Sequence, residues 1–302
     1  MITRYAQRDL TWIDLVSPSA AEVREVMREF DLDPLVAEEL LTPSFKPKVE
    51  RRGDTIYLIL HFPSLRGVSA RPEQEIDFIL GRRFLITTRY ENIDPLHMFA
   101  KAFEVNAVLG HGAATHGGHL FIAMARSIYE ALGNECDHVN RRLHDIEERI
   151  FGGNERGMVA ELSQTARVIH DFKQSLLPHE EMLASLEPVG GRLFGVEYGY
   201  YVRELVGVYR RIERKLGNLH DSLHELRATN DSLLSTKQNE IMKILTIMAF
   251  VTFPLSLISS IFGMNTVYLP IVGTPGDFWY VVGGMATLTL GFFIFFKSKK
   301  WL

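Results

Sequence analysis

The chain has one cysteine, Cys136, in 302 residues, so no internal disulfide can form, and the composition suits a reducing compartment. It carries no marked excess of either charge: Lys and Arg total 33, Asp and Glu total 37, and the formal net charge is −4. That balance gives no reason to expect nucleic acid or a strongly anionic partner. Met1 to Trp12 lacks an apolar core, so no cleaved signal peptide is expected there. There is no G-x4-G-K-[ST] phosphate loop and no nucleophile–base motif. Neither a nucleotide-driven pump nor an enzyme is therefore indicated.

The most informative absence is local. Charged residues run throughout the first 243 positions and then almost vanish until Lys297. Ile244–Phe262 (ILTIMAFVTFPLSLISSIF) and Phe278–Phe296 (FWYVVGGMATLTLGFFIFF) contain no Asp, Glu, Lys or Arg. At about 1.5 Å per residue each reaches roughly 28 Å, near the thickness of a bilayer's hydrocarbon layer. Two buried core helices of a soluble protein are the alternative, and the flanking Lys297, Lys299 and Lys300 count against it. The loop 263–277 has no Lys or Arg, whereas Lys237, Lys243 and the 297–300 cluster flank the two spans. The positive-inside rule then places both termini in the cytoplasm of a multi-pass protein of the cell (inner) membrane.

The preceding residues form an α+β cytoplasmic domain. Thr55–Phe62, Glu75–Gly81 and Arg83–Arg89 are β-rich, and the last two form a hairpin joined at Gly81-Arg82. Ser17 and Pro18 are expected to open a helix through Phe30. Two long amphipathic patterns from about 119 to 186, broken at Gly152-Gly153-Asn154, predict a helical hairpin. From about Tyr200, Leu205, Val208, Ile212, Leu216, Leu219, Leu223, Leu226 and Leu233 recur at helical spacing. They predict one helix about 90 Å long, a stalk running straight into the first span. The expected segments are an α/β domain at 1–118, a helical hairpin at 119–198, a stalk at 199–243, a first span at 244–262, an outer loop at 263–277, a second span at 278–296 and a basic tail at 297–302.

Two spans cannot enclose a water-filled path, so a pore requires several copies around an axis. Counting back from Asn265 at helical spacing gives Ser256, Phe253, Ala249, Leu245, Met242 and Asn239: polar rings at the ends, apolar rings between. Polar rings could hold a hydrated ion and apolar rings could close by dewetting, though Met242, Leu245 and Phe253 equally suit plain helix packing. Gly284, Thr287 and Gly291 form a small-residue face on the second span, expected to pack against the first. Pro254 is read as a kink.

Gly263-Met264-Asn265 ends the first span. Glycine permits a reversal with φ > 0 that leaves helix carbonyls facing an approaching cation, and the Asn265 amide oxygen can accept from coordinated water. Mg²⁺ holds its water tightly, so an uncharged oxygen ring that grips the shell avoids stripping it. Selection of zinc or copper would more naturally use His or Cys, and the spans have neither. Alone, the tripeptide is often only a helix stop.

The stretch Asn239–Asn265, NEIMKILTIMAFVTFPLSLISSIFGMN, resembles the CorA-type divalent-cation channels, whose first span begins at Asn-Glu and ends at Gly-Met-Asn. TWIDLVSPSAAEV, KPKVERRGDTIYLIL and the tail ending Lys300-Trp301-Leu302 extend the resemblance over most of the chain. It implies a funnel-shaped homopentamer in a lipid bilayer, with no cofactor beyond transported or regulatory Mg²⁺ or another divalent cation. It also implies that Gly263, Met264 and Asn265 form the selectivity filter, above Ser256, Phe253, Leu245, Met242 and Asn239. Phe262 replaces the usual tyrosine, and Leu269-Pro270-Ile271 lacks the acidic residue common after that proline, leaving Asp277 as the only outer carboxylate. A Zn²⁺, Co²⁺ or Ni²⁺ transporter of the ZntB-like branch is the alternative to Mg²⁺ import, and a membrane-anchored sensor without flux is a further one. His111, His116 and His119 could bind metal or form a surface connection. His220 and His224, one turn apart beside Asp221 and Glu225, could hold a metal or be a solvated face.

Overall fold

A computed structural model describes every residue except 8, 45, 65–72, 92, 105–114, 268, 270, 274, 300 and 302. The chain divides into two units, Met1–Arg227 and Ala228–Leu302, each taken by itself below.

The first unit is built on a six-stranded sheet. Its strands are β1 (Ile2–Gln7), β2 (Leu10–Val16), β3 (Lys48–Arg52), β4 (Thr55–Pro63), β5 (Glu73–Leu80) and β6 (Phe84–Arg89). Their spatial order is β1-β2-β6-β5-β4-β3, with only the β2–β6 pairing parallel. β4 and β5 are covered on both faces, which is why TIYLILHF reads as a continuous apolar run rather than an alternation. The β5–β6 hairpin turns at Gly81, whose N–H donates to the Phe84 carbonyl at 2.9 Å.

One face of the sheet packs against α1 (Ala20–Phe30) and α2 (Pro34–Glu39), where Ile13, Leu15, Tyr57, Ile59, Ile79 and Ile86 meet Val23, Val26 and Val36. The helix start is shifted from the expected Ser17-Pro18. Ser19 is the N-cap, with a reciprocal box to Glu22, while Ser17 sits at φ 42 with its hydroxyl donating to the Tyr90 carbonyl at 3.0 Å. The box satisfies two helix-end donors at once, which Ser17 followed by Pro18 could not do.

The opposite face carries α3 (Asp94–Glu104) and the helical layer: α4 (Gly117–Phe151), α5 (Glu155–Leu176) and α6 (His179–Phe194). Trp12 meets Phe99 and Phe103, and Phe78 meets Phe121. A Cβ on Gly117 would fall 2.0 Å from the Phe84 carbonyl oxygen, so only glycine lets α4 start against the hairpin. The break at Gly152-Gly153-Asn154 separates α4 from α5, with Gly153 at φ 94. The second amphipathic pattern is two helices rather than one, because Pro178 interrupts it and caps α6.

The long helix is α7, Tyr198–Phe262, 65 residues without interruption at Pro254. In the first unit Val202, Leu205, Tyr209, Ile212, Leu216, Leu219, Leu223 and Leu226 are buried, an alternation of three and four that forms one straight seam. Arg203–Glu187, Arg210–Glu180, Lys215–Asp137 and Arg126–Glu204 flank it. In the second unit, α7 continues to Phe262 and α8 spans Asp277–Ser298. Both are long and apolar enough to cross a membrane, and almost no residue of their apolar windows is fully buried. Trp279 and Tyr280 near the start of α8 and Trp301 after its end supply aromatic groups suited to the two interfaces.

Candidate ion path

In the second unit α7 has two unlike sides. Ile247, Val251, Pro254, Leu255, Ile258 and Phe262 are half-buried. On α8 the covered side is Val281, Met285, Leu288, Thr289, Phe292 and Phe296, and the two helices touch where Phe250 meets Phe296 at 6.4 Å. Gly284, Thr287 and Gly291 lie outside that covered side, and nothing comes within 4 Å of a Cβ built on Gly284 or Gly291. The small-residue face therefore does not carry the packing in one chain; large side chains at four-residue spacing bury more area there.

At 100° per residue, Asn239, Met242, Leu245, Ala249, Phe253 and Ser256 cluster on the side of α7 opposite Ile247, Val251, Pro254, Leu255, Ile258 and Phe262. Ala249 is half-buried and the other five are exposed, with Phe253 exposed to 73%. The Thr246 hydroxyl donates to the Met242 carbonyl at 2.8 Å, so that polar side chain is satisfied within its own helix.

The last turn of α7 closes with Gly263 N–H to the Ser259 carbonyl at 2.9 Å and Met264 N–H to the Ile261 carbonyl at 3.2 Å. Gly263 is not at positive φ, contrary to expectation; among the described residues of the loop 263–277, the positive-φ positions are Ile271, Gly273 and Gly276. Gly263 leaves the helix through a tightened final turn, and the reversal occurs later in the loop. Gly263, Met264 and Asn265 are all exposed. Asp277, the carboxylate that ends the loop, accepts from Gly273 N–H at 3.0 Å and Phe278 N–H at 2.7 Å. Its charge is engaged by the loop backbone and the start of α8.

Elsewhere, His220 and His224 touch ring to ring at 4.5 Å, and His220 Nδ1 is 3.7 Å from Asp221 Oδ1. Among the described residues no three His, Cys, Asp or Glu form a group able to hold a metal, so these residues with Glu225 make no such site within one chain. His111 lies outside the described residues, as do Pro270, Lys300 and Leu302. His116 caps α4, its Nδ1 accepting from His119 N–H, and stacks on His119 at 3.9 Å and Phe194 at 4.4 Å. Burial and the neighbouring His119 push its pKa down to about 4, in keeping with a neutral cap rather than a cationic group.

The profile of a family described as "CorA-like Mg2+ transporter protein" matches residues 7–299. The cobalt/magnesium transport protein CorA of Thermotoga maritima is 24% identical over 97% of this chain and 83% of its own length. The zinc transport protein ZntB of Photorhabdus laumondii is 23% identical over 86% of this chain and 78% of its own. Among solved structures, the CorA magnesium transporter of Methanocaldococcus jannaschii superposes with a TM-score of 0.84 at 19% identity, over 99% of this chain and 93% of that one. The cytoplasmic domain of ZntB from Vibrio parahaemolyticus gives 0.62 at 12% identity, over 75% and 88%. Two exposed apolar helices joined through Gly-Met-Asn, behind an α/β domain of this topology and a profile match spanning almost the whole chain, place the protein in the CorA-like family of divalent metal ion transporters.

Proposed function

We propose that this chain is one subunit of a homopentameric channel that imports hydrated Mg²⁺, with both termini and residues 1–243 in the cytoplasm. The observation that carries this reading is the position of the Asn239–Ser256 stripe. It occupies the side of α7 opposite Ile247, Val251, Pro254, Leu255 and Ile258, and all its members but Ala249 are exposed. Apolar side chains as large as Phe253 on that side are left for lipid or for further copies to cover, and polar Asn239 and Ser256 favour a wet path between copies over lipid. In this reading the Asn265 oxygens, with Gly263 and Met264 shaping the turn, hold the ion through its water shell. Leu245, Met242 and Phe253 form the rings that close the path, with Ala249 between them.

No chemical step or energy-coupling group is required. A dication moving inward gains about 4.6 kcal/mol per 100 mV of inside-negative potential, equivalent to roughly a 2000-fold concentration ratio. Neither span contains an acidic or basic side chain that could relay a proton, which favours a channel over proton-coupled exchange.

A second reading, transport of Co²⁺, Ni²⁺ or Zn²⁺, draws support from the outer loop. Its sole carboxylate is bound to backbone N–H groups, leaving little fixed charge to recruit a strongly hydrated ion. Flux of the four ions into proteoliposomes, with and without a pH gradient, separates the readings. Asn265→Ala should abolish Mg²⁺ uptake while oligomers still assemble. Undiminished uptake would remove the asparagine ring from the account, and absence of flux with any ion would favour a sensor anchored by its spans.

A further inference from the structure

The sheet face beneath α1 and α2 contains a fully buried carboxyl group. Asp77, on β5, has no exposed surface. Its Oδ1 has no hydrogen-bond partner, and its Oδ2 receives only two long contacts, 3.5 Å each, from the Tyr57 and Tyr90 hydroxyls. An ionised carboxylate in such a place would be stranded, since burying an unpaired charge costs several kcal/mol.

The charged neighbours offer no relief. Glu75, two residues along the same strand face and 8% exposed, is itself an acid. Glu39 at the end of α2 is engaged by Lys48 of β3, whose ammonium lies 4.8 Å over the Tyr57 ring. His61 of β4 is committed to Glu75, its Nε2 at 3.2 Å from Oε2. α1 faces this side of the sheet with Val23 and Val26. Asp14 and Arg89 form their own buried pair, with Nη2 to Oδ2 at 2.9 Å. The arrangement disfavours a bare negative charge on Asp77. Burial, followed by the negative charge of Glu75, holds its pKa well above the usual carboxylate range.

The same cluster fastens a connection. Glu75 Oε1 accepts from Ser44 N–H at 2.9 Å, and His61 Nε2 lies 2.8 Å from the Ser44 carbonyl. Ser44 belongs to the segment that joins α2 to β3, so that segment is tied to the sheet through the residue next to Asp77 on the same face. We propose that Asp77 is held as a neutral carboxyl whose ionisation releases the segment joining α2 to β3, a pH-responsive latch in the sheet. Losing the proton would put a second negative charge behind Glu75, and among the described residues the nearby cationic groups are already engaged, His61 by Glu75 and Lys48 by Glu39. The Ser44 tie is the contact able to yield, because it is the part of the cluster outside the strands. The latch is independent of which ion the chain carries.

Thermal unfolding of the full chain in detergent, wild type against Asp77→Asn, tests this between pH 5 and pH 10. An acid whose pKa is raised in the fold stabilises fully below its unfolded value and loses that contribution as pH rises toward the folded one. The midpoint of Asp77→Asn should therefore gain on wild type by about 3–5 °C per pH unit until Asp77 ionises. Hydrogen exchange at residues 41–47, corrected for intrinsic pH dependence, should accelerate at alkaline pH in wild type and not in the variant. Parallel midpoint curves, or exchange that is pH-independent in both, would overturn the latch. Should Asp77→Asn fail to fold, infrared difference spectra of the wild-type chain provide the second measurement: a buried protonated-carboxyl band that disappears at alkaline pH supports the proposal. Absence of that band at neutral pH, or its replacement on adding Mg²⁺, would refute it by showing that the site is ionised or cation-filled.

Discussion

The seam that holds α7 against its own domain can be tested at Gly133 and Ile212. A Cβ built on Gly133 of α4 would lie 3.1 Å from Ile212 Cδ1 on α7, closer than the 3.5–4.0 Å at which carbon atoms attract. Gly133→Ala alone sets about 1 kcal/mol of helix propensity against an overpacking cost of about 1–3 kcal/mol. The expected result is a small net loss. Ile212→Val removes the offending methyl and costs about 1 kcal/mol through lost burial. In the double variant the alanine methyl occupies the vacated space, so its propensity gain is realised without the clash. The coupling between the two sites should then reach about 1 kcal/mol or more, against the 0.5 kcal/mol within which distant sites add. For a unit of this size that is a recovery of about 2–4 °C in the midpoint. Near-UV circular dichroism of the full chain in detergent, melted as the four-member cycle, reads it. Strict additivity would mean that α7 does not meet α4 at this point, and the seam would have to be redrawn.

The other predictions are simpler. Asp14→Ala removes the carboxylate whose Oδ2 accepts from both Arg89 Nε and Nη2 in the buried pair and should cost about 3–5 kcal/mol, seen as a fall in the denaturation midpoint of the full chain. Gly190→Ala places a methyl 2.2 Å from the Tyr198 ring at the start of α7 and should destabilise by about 1–3 kcal/mol; an unchanged melt would show that α6 is not packed there. His179 is fully buried between Tyr129 and the His61 carbonyl, and burial pushes its pKa down to about 4. Its folded pKa lies below its unfolded value of about 6.5, so the fold needs it neutral, and stability should fall as pH drops from about 6.5 toward 4. His179→Gln should flatten that limb of the pH–stability curve.

Local patterns made several elements legible from residue order alone. The two apolar helices of membrane-spanning length follow from uninterrupted apolar runs, the β5–β6 hairpin from paired β-rich runs meeting at Gly81, and α7 from leucines at three-and-four spacing. Each signal sits within a few tens of residues, where period and burial are the same information. The stretch Asn239–Asn265, ending Gly263-Met264-Asn265, likewise carries the family resemblance in residue order alone.

The tertiary structure decided what periodicity leaves degenerate. Ser17 and Ser19 are both acceptable caps, and only the Glu22 side chain reaching back selects the second. On α8, spacing permits several faces, and the cover at Met285, Phe292 and Phe296 selected one that excludes Gly284. The parallel pairing of β2 with β6 joins residues more than seventy positions apart, so no short window contains it. Asp77 looks in sequence like one more strand carboxylate. Its isolation comes from two helices closing over a sheet face whose described cations are engaged by other carboxylates, a property of three-dimensional packing that residue order does not encode locally.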